Sequence, residues 1–233
     1  MRLPAARRGA CLYGRRAYTV RYMHRDNCYR CRRPAETCLC PTEEPLPVRT
    51  KIVLLMHVKE WRRQKSATGR LTCLNLKDAE MIPGVAFDDH PRVRELLEDP
   101  ANWCALLYPS AGAYNLSEGS FPATELEGRR LVVFLIDSTW SCSRTILRLS
   151  PGLLNLPRLM FTPREPSKYI IKRQPKPEYL STIEATHELL LALESAGLDE
   201  YPDKERLLKS FFAMRDYQIE RAARTPNPRH HSH

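Results

Sequence analysis

Two short clusters hold the residues best suited to chemistry. Cys28, Cys31, Cys38 and Cys40 fall close together with the spacing C-x2-C-x6-C-x-C. A tight pair followed by a second close pair can place four thiolates around one tetrahedral Zn²⁺; four reduced thiols without metal are the alternative. A disulfide framework fits less well, because no secretory segment is visible and 233 residues fold without staples. The second cluster, Asp137-Ser138-Thr139-Trp140, follows the apolar run LVVFLI. A carboxylate there sits between a dry sheet edge and the first N–H groups of a helix, placed to accept a proton or to orient a ligand. Thr139 adds a hydroxyl and Trp140 a flat surface. The structural alternative is that Asp137 or Ser138 caps the helix and Trp140 packs in the core.

Elements that could position these clusters are legible along the chain. The proline-rich stretch 41–50 reads as a linker. Residues 51–57, 103–108 and 130–136 are apolar runs expected to be buried strands, and 159–161 and 169–171 are further short candidates. A polar, basic loop over 59–68 leads into a helix at 69–75. Helices are also expected over 91–98, 138–149, 183–196 and 201–224, with loops at 109–128 and 174–180. The helix at 183 opens on a capping box, Ser181-Thr-Ile-Glu184, and Gly197 punctuates its end. Strands alternating with helices predict an α/β fold, a mostly parallel sheet covered on both faces. Ligands in such sheets gather beyond the carboxyl ends of the strands. That directs attention to His57, Tyr108-Pro109-Ser110 and Asp137–Trp140.

Charge is unevenly spread. The net charge is +10, yet residues 1–33 alone hold ten arginines against the single acid Asp26. An Arg-rich arm with interleaved Tyr13, Tyr18, Tyr22 and Tyr29 can pair with phosphates and stack on bases. A solvated tail and an organelle transit peptide are the alternatives, although the arm contains no serine. The glycine signatures of Rossmann and P-loop nucleotide sites are absent. No apolar run reaches the ~18 residues of a membrane span, so a cytoplasmic protein without a membrane partner is expected. The expected divisions are a basic arm over 1–24, a cysteine knuckle over 25–45, a catalytic α/β domain over 46–224 and a disordered tail over 225–233.

Several segments, taken in order, resemble the DTW-domain proteins, a family of tRNA-uridine aminocarboxypropyltransferases. They are Cys28-Tyr-Arg-Cys31-Arg-Arg-Pro34 with Cys38-Leu-Cys40; residues 52–60 (IVLLMHVKE); Thr68-Gly69-Arg70-Leu71; Leu106-Leu107-Tyr108-Pro109-Ser110; and Asp137-Ser138-Thr139-Trp140 with Arg144 behind it. Tyr169 with Arg173, then Ser181-Thr182-Ile183-Glu184-Ala185, complete the set, which spans roughly residues 25–200. Ser138 stands where the family usually has glycine, so the backbone there must avoid a glycine-only conformation.

The resemblance implies S-adenosylmethionine as donor and a SPOUT-like α/β-knot fold. It implies transfer of the 3-amino-3-carboxypropyl group to N3 of a loop uridine in tRNA, with release of methylthioadenosine. Asp137 is then the candidate general base or donor-positioning group, with Thr139 and Trp140 beside it. Leu55, Leu107, Tyr108, Pro109, Ser110, Leu135, Ile136 and Ser138 are the candidate donor contacts. Arg25, Arg30, Arg32, Arg33, Lys59, Arg70 and Arg144 are candidates for RNA, and the four cysteines for zinc. The target N3 is hidden in a base pair, so the uridine must be unpaired or flipped. No obligate protein partner is evident, and monomer and homodimer are both open. Two rivals remain: a SPOUT-like RNA methyltransferase using the donor's methyl group, and a non-catalytic zinc-knuckle RNA-binding protein.

Overall fold

The computed structural model describes residues 27–63, 68–169 and 179–224, without the side chains of Arg63 and Trp140. The basic arm with Arg25, the residues at 170–178 that include Arg173, and the tail from 225 lie outside the described residues.

Strand β1 (Lys51–His57, KIVLLMH) is buried at every position, as a strand covered on both faces must be. It lies between β2 (Ala79–Gly84) and β5 (Arg130–Asp137), and pairs with both in parallel. Strand β3 (Asn102–Leu107) pairs with the other side of β5, and β6 (Arg158–Met160) and the two-residue β4 (Tyr114–Asn115) extend the sheet beyond it. The order is β2-β1-β5-β3-β6-β4, every pair parallel.

Side chains leave alternate faces of a strand, and here they feed two cores. Ile52, Leu54, Trp103, Ala105, Leu131, Val133 and Leu135 pack on one face with helices α2 (Thr68–Asn75), α5 (Thr182–Ser195) and α6 (Glu205–Ala223). Val53, Leu55, Leu106, Val132 and Phe134 pack on the other with α3 (Pro91–Glu98) and α4 (Trp140–Leu149). A sheet with helices on both faces is therefore the observed architecture. The remaining helix, α1 (Val58–Arg63), follows β1 with no intervening loop.

Four details depart from the sequence reading. The basic loop expected from residue 59 begins instead as α1. Strand β2 was not anticipated, because AEMIPG ends in Pro83-Gly84 and reads as a turn. Pro83 is tolerated there since β2 forms an edge of the sheet. The stretch 41–50 is packed rather than free: Leu46 and Val48 are buried, and Leu46 bridges to Leu76. Tyr169 is buried but lies in no strand, and the rest of that candidate strand lies outside the described residues.

Helix α5 carries a buried titratable group. The Nδ1 of His187 lies 3.1 Å from the Tyr201 hydroxyl. Burial, with Arg164 and Lys168 nearby and Glu184 opposing them, lowers its pKa from 6.5 to about 4. The folded protein thus holds His187 neutral where the unfolded chain already binds a proton. Its contribution is complete above pH 6.5 and is lost as pH falls toward 4. His187→Gln keeps a polar partner for Tyr201 but cannot titrate. Thermal unfolding of the two proteins across this window should show the wild type losing about 2 kcal/mol more, allowing for partial solvent screening. Parallel pH profiles would remove His187 from the acid response.

Candidate functional site

The alternation of β5 aims Asp137, like Leu131, Val133 and Leu135, at the face covered by α2 and α5. Asp137 is 7% exposed, at the carboxyl end of a strand that lies between two others. Its Oδ1 accepts a 2.6 Å hydrogen bond from the Thr182 hydroxyl, in the first turn of α5. The carboxylate also lies against Gly69, in the first turn of α2. A methyl group on Gly69 would come within 2.7 Å of Asp137 Cγ and closer still to Oδ2. Glycine is therefore required there for close approach rather than for an unusual φ. Two helix starts thus flank one carboxylate, where the positive ends of their dipoles favour an anion.

The start of α5 is itself fixed. Glu184, 6% exposed, accepts from the Ser181 N–H at 2.9 Å and from its hydroxyl at 2.6 Å. The same carboxylate takes the Lys168 N–H at 2.7 Å and the Ser167 hydroxyl at 2.9 Å. Glu184 therefore ties the 167–169 segment to the helix start that presents Thr182 to Asp137.

Beyond Asp137, the Ser138 hydroxyl meets that of Ser143 at 2.8 Å. The positive-φ residues other than glycine, among those described, are Arg32 and Glu127, so Ser138 sits in ordinary backbone space and needs no glycine there. The Thr139 N–H donates to Glu60 Oε1, a buried carboxylate on α1. Thr139 occupies the N-cap position of α4 without a side-chain capping bond, and its hydroxyl lies 3.5 Å from that of Ser141. Trp140 begins α4; its side chain lies outside the described residues. On the neighbouring strand end, the buried His57 accepts the Lys59 N–H at Nδ1, 3.1 Å away. After β3, the Tyr108 N–H donates to the Leu159 carbonyl at 3.0 Å. Ser110 Oγ is buried and makes no hydrogen bond among the described residues.

The residues read from sequence as donor contacts divide accordingly. Leu55 and Leu135 bury their side chains on opposite faces of the sheet. Leu107, Tyr108, Ser110, Ile136 and Ser138 are half-buried around the strand ends, and Pro109 is exposed. An unpartnered hydroxyl beside half-buried apolar groups suits a donor that brings both a polar nucleoside and an aliphatic chain.

The cysteines converge. Their four sulfurs lie within 4.8 Å of one another, with Cys28–Cys40 at 3.5 Å and Cys31–Cys38 at 3.7 Å. Four sulfurs ~2.3 Å from a central Zn²⁺ stand ~3.8 Å apart, so the set fits that ion. The turn has the shape the ion needs: Arg32 is left-handed at φ 59°, and its N–H closes onto the Cys28 carbonyl at 2.7 Å. N–H groups of Cys31 and Arg30, with the Cys40 thiol, pull Cys28 down to about 6, while burial and the same contact raise Cys40, so Cys28 is the first of the pair to give up its proton. Burial instead pushes Cys73 up to about 12 and Cys104 up to about 11, so these thiols stay protonated.

The basic residues do not gather in one place. Arg30, Lys59 and Arg144 are exposed, and Arg25 lies outside the described residues. Arg33 is buried against α6, its guanidinium 5.6 Å from the Tyr217 ring, and burial lowers its pKa. Its Nη1 is buried without a hydrogen bond among the described residues. Arg32 and the buried Arg70 are brought together on Trp61, 4.0 and 4.6 Å from its ring centre. Gly69, Thr182, Glu60 and Trp61 were not singled out from sequence as site residues. Trp61 follows directly on a segment of the family resemblance and the other three lie within such segments; that was the available signal.

A family model described as the DTW domain matches residues 25–219. A Drosophila melanogaster protein named tRNA-uridine aminocarboxypropyltransferase 2 is 30% identical over 207 residues, covering 85% of this chain and 77% of its own. A Mus musculus protein of the same name is 29% identical over 208 residues, and a Macaca fascicularis one 26% over 209. This chain spans 65% of the length of each of those two. No solved structure matches the chain.

Proposed function

The chain belongs to the DTW-domain family, and from that membership we propose that it transfers the 3-amino-3-carboxypropyl group of S-adenosylmethionine to N3 of an unpaired tRNA uridine. The carrying observation is the Asp137 carboxylate, buried at a central strand end, hydrogen-bonded by Thr182 and pressed against Gly69.

In this reading the donor supplies a sulfonium-activated carbon. Asp137 takes the N3 proton as the N3–carbon bond forms; the carbon–sulfur bond breaks, its electron pair stays on sulfur, and methylthioadenosine leaves. The Thr182 hydroxyl orients the base. Three carbons flank the sulfonium, so presenting the propyl carbon rather than the methyl is a matter of pose. Tyr108, Ser110, Ile136 and Ser138 are the residues proposed to set it. The finer fold expectation, a SPOUT-like knot, belongs to the same proposal. It is supported by the all-parallel sheet and by donor loops gathered at the carboxyl ends of β1, β3 and β5.

The cysteine knuckle is proposed to hold one structural Zn²⁺ as a closed four-sulfur site. Elemental analysis of the purified chain is expected to give about one zinc per chain, and Cys31→Ser nearly none. Equal zinc in both proteins would disconnect the metal from these thiols.

Transfer itself is tested with S-adenosylmethionine labelled separately in its methyl and aminocarboxypropyl carbons, offered with unmodified tRNA. Aminocarboxypropyl label in the RNA, with methylthioadenosine released, is the expected result. Methyl label in the RNA would make the protein a methyltransferase. Tight tRNA binding with neither label, across several tRNAs, would make it a binding module.

A further inference from the structure

The cleft between the cysteine knuckle and the first two helices is lined by cations and aromatic groups. It encloses about 410 Å³, with Arg32, Arg62, Arg70, Trp61, Tyr29, Asn27 and the knuckle's Cys28 on its walls and no carboxylate among the described lining residues. Arg70 is only 7% exposed, yet its Nε and Nη2 are buried without a hydrogen bond among the described residues. A buried guanidinium without acceptors is costly, and Arg32, close to the same indole ring, adds like-charge repulsion. The Asp137 carboxylate attracts Arg70 through space, yet those two N–H groups find no acceptor among the described residues. Nε and Nη2 form the edge of the arginine fork that takes two oxygens of one oxyanion in parallel. Tyr29 is fully exposed beside the cleft, and an aromatic ring next to a phosphate grip is the usual platform for the adjoining base.

We propose that this cleft is a phosphate subsite, in which Nε and Nη2 of Arg70 take one backbone phosphate of a bound RNA strand, Arg32 closes over it and Tyr29 stacks on the flanking base. Arg70 is the chain neighbour of Gly69, which abuts Asp137. The phosphate therefore belongs to a nucleotide next to the one offered to the carboxylate, and the subsite sets which uridine is within reach. The identity of the strand as tRNA rests on the transferase reading; the grip needs no transfer step.

The test uses the full, metal-loaded chain with unmodified tRNA and no donor, titrated over a salt series. Arg70→Gln should weaken binding roughly tenfold or more and lower the slope of log affinity against log salt by about one. Arg70→Lys should keep the slope but still bind more weakly, because it lacks the fork. Arg32→Ala removes an exposed side chain and should also weaken binding. Phosphate-ethylation interference should reveal one phosphate that matters to the wild type and is silent against Arg70→Gln. Unchanged affinity and slope in Arg70→Gln would overturn the subsite. So would intact tRNA binding with lost S-adenosylmethionine binding, which would give Arg70 to the donor's carboxylate. A wild type that carries the ethylation signature but transfers no label would overturn the transferase reading and leave the subsite standing.

Discussion

Asp137→Asn is expected to slow single-turnover transfer about 10³-fold while tRNA affinity stays within about twofold of wild type. The substitution preserves shape. The amide that replaces the carboxylate retains an oxygen for the Thr182 hydroxyl, so the bond that orients the group survives, and what is lost is the capacity to take a proton. One structural cost is foreseen: Arg70 loses an attracting charge, so a modest fall in thermal stability should accompany the rate loss. Single-turnover rates at saturating donor separate chemistry from binding. Transfer within tenfold of wild type would remove Asp137 from proton abstraction and leave it, at most, a positioning role.

Gly69→Ala should cost about 10²-fold in transfer, although alanine in place of an ordinary helical glycine stabilises by about 1 kcal/mol. The added methyl would meet Asp137 Cγ at 2.7 Å and Leu54 Cδ1 at 3.1 Å. Leu54 is fully buried on β1 and has little room to give. The carboxylate must swing away, breaking its 2.6 Å bond to Thr182. The overpacking should also destabilise by about 1–3 kcal/mol. The double variant with Asp137→Asn discriminates: if Gly69 acts only through the carboxylate, the rate loss should be no greater than for Asp137→Asn alone. Additive losses would assign Gly69 a separate task.

Strands β1, β3 and β5 were legible because a strand buried on both faces must be apolar throughout, and such runs stand out against charged neighbours. Asp137 was legible as the first polar residue after the strongest of these runs, and Glu184 through the spacing of its capping box. The second attachment of Glu184, to Ser167 and Lys168, was not. Nor was the contact of Gly69 with Asp137, or the bond from Thr139 to Glu60. These join residues far apart in the chain through packing, which leaves no periodic trace. Strand β2 escaped for a local reason: a proline and a glycine in six residues outweigh its pattern until its edge position is known. The burial of Arg33 was not legible either, since three neighbouring arginines look alike in sequence and the fold buries only this one of them.

The pairing of β1 with β5 has a consequence for synthesis of the chain. Leu54 meets Leu135 across the sheet, so the partner of a seven-residue apolar strand is made roughly eighty residues later. At ~5–20 residues per second on the ribosome, one edge of β1 waits about 4–16 s for that partner. Strand β2 arrives sooner and pairs only the opposite edge. Nascent chains stalled before residue 130 should therefore be held by ribosome-associated chaperones, and released once β5 has emerged.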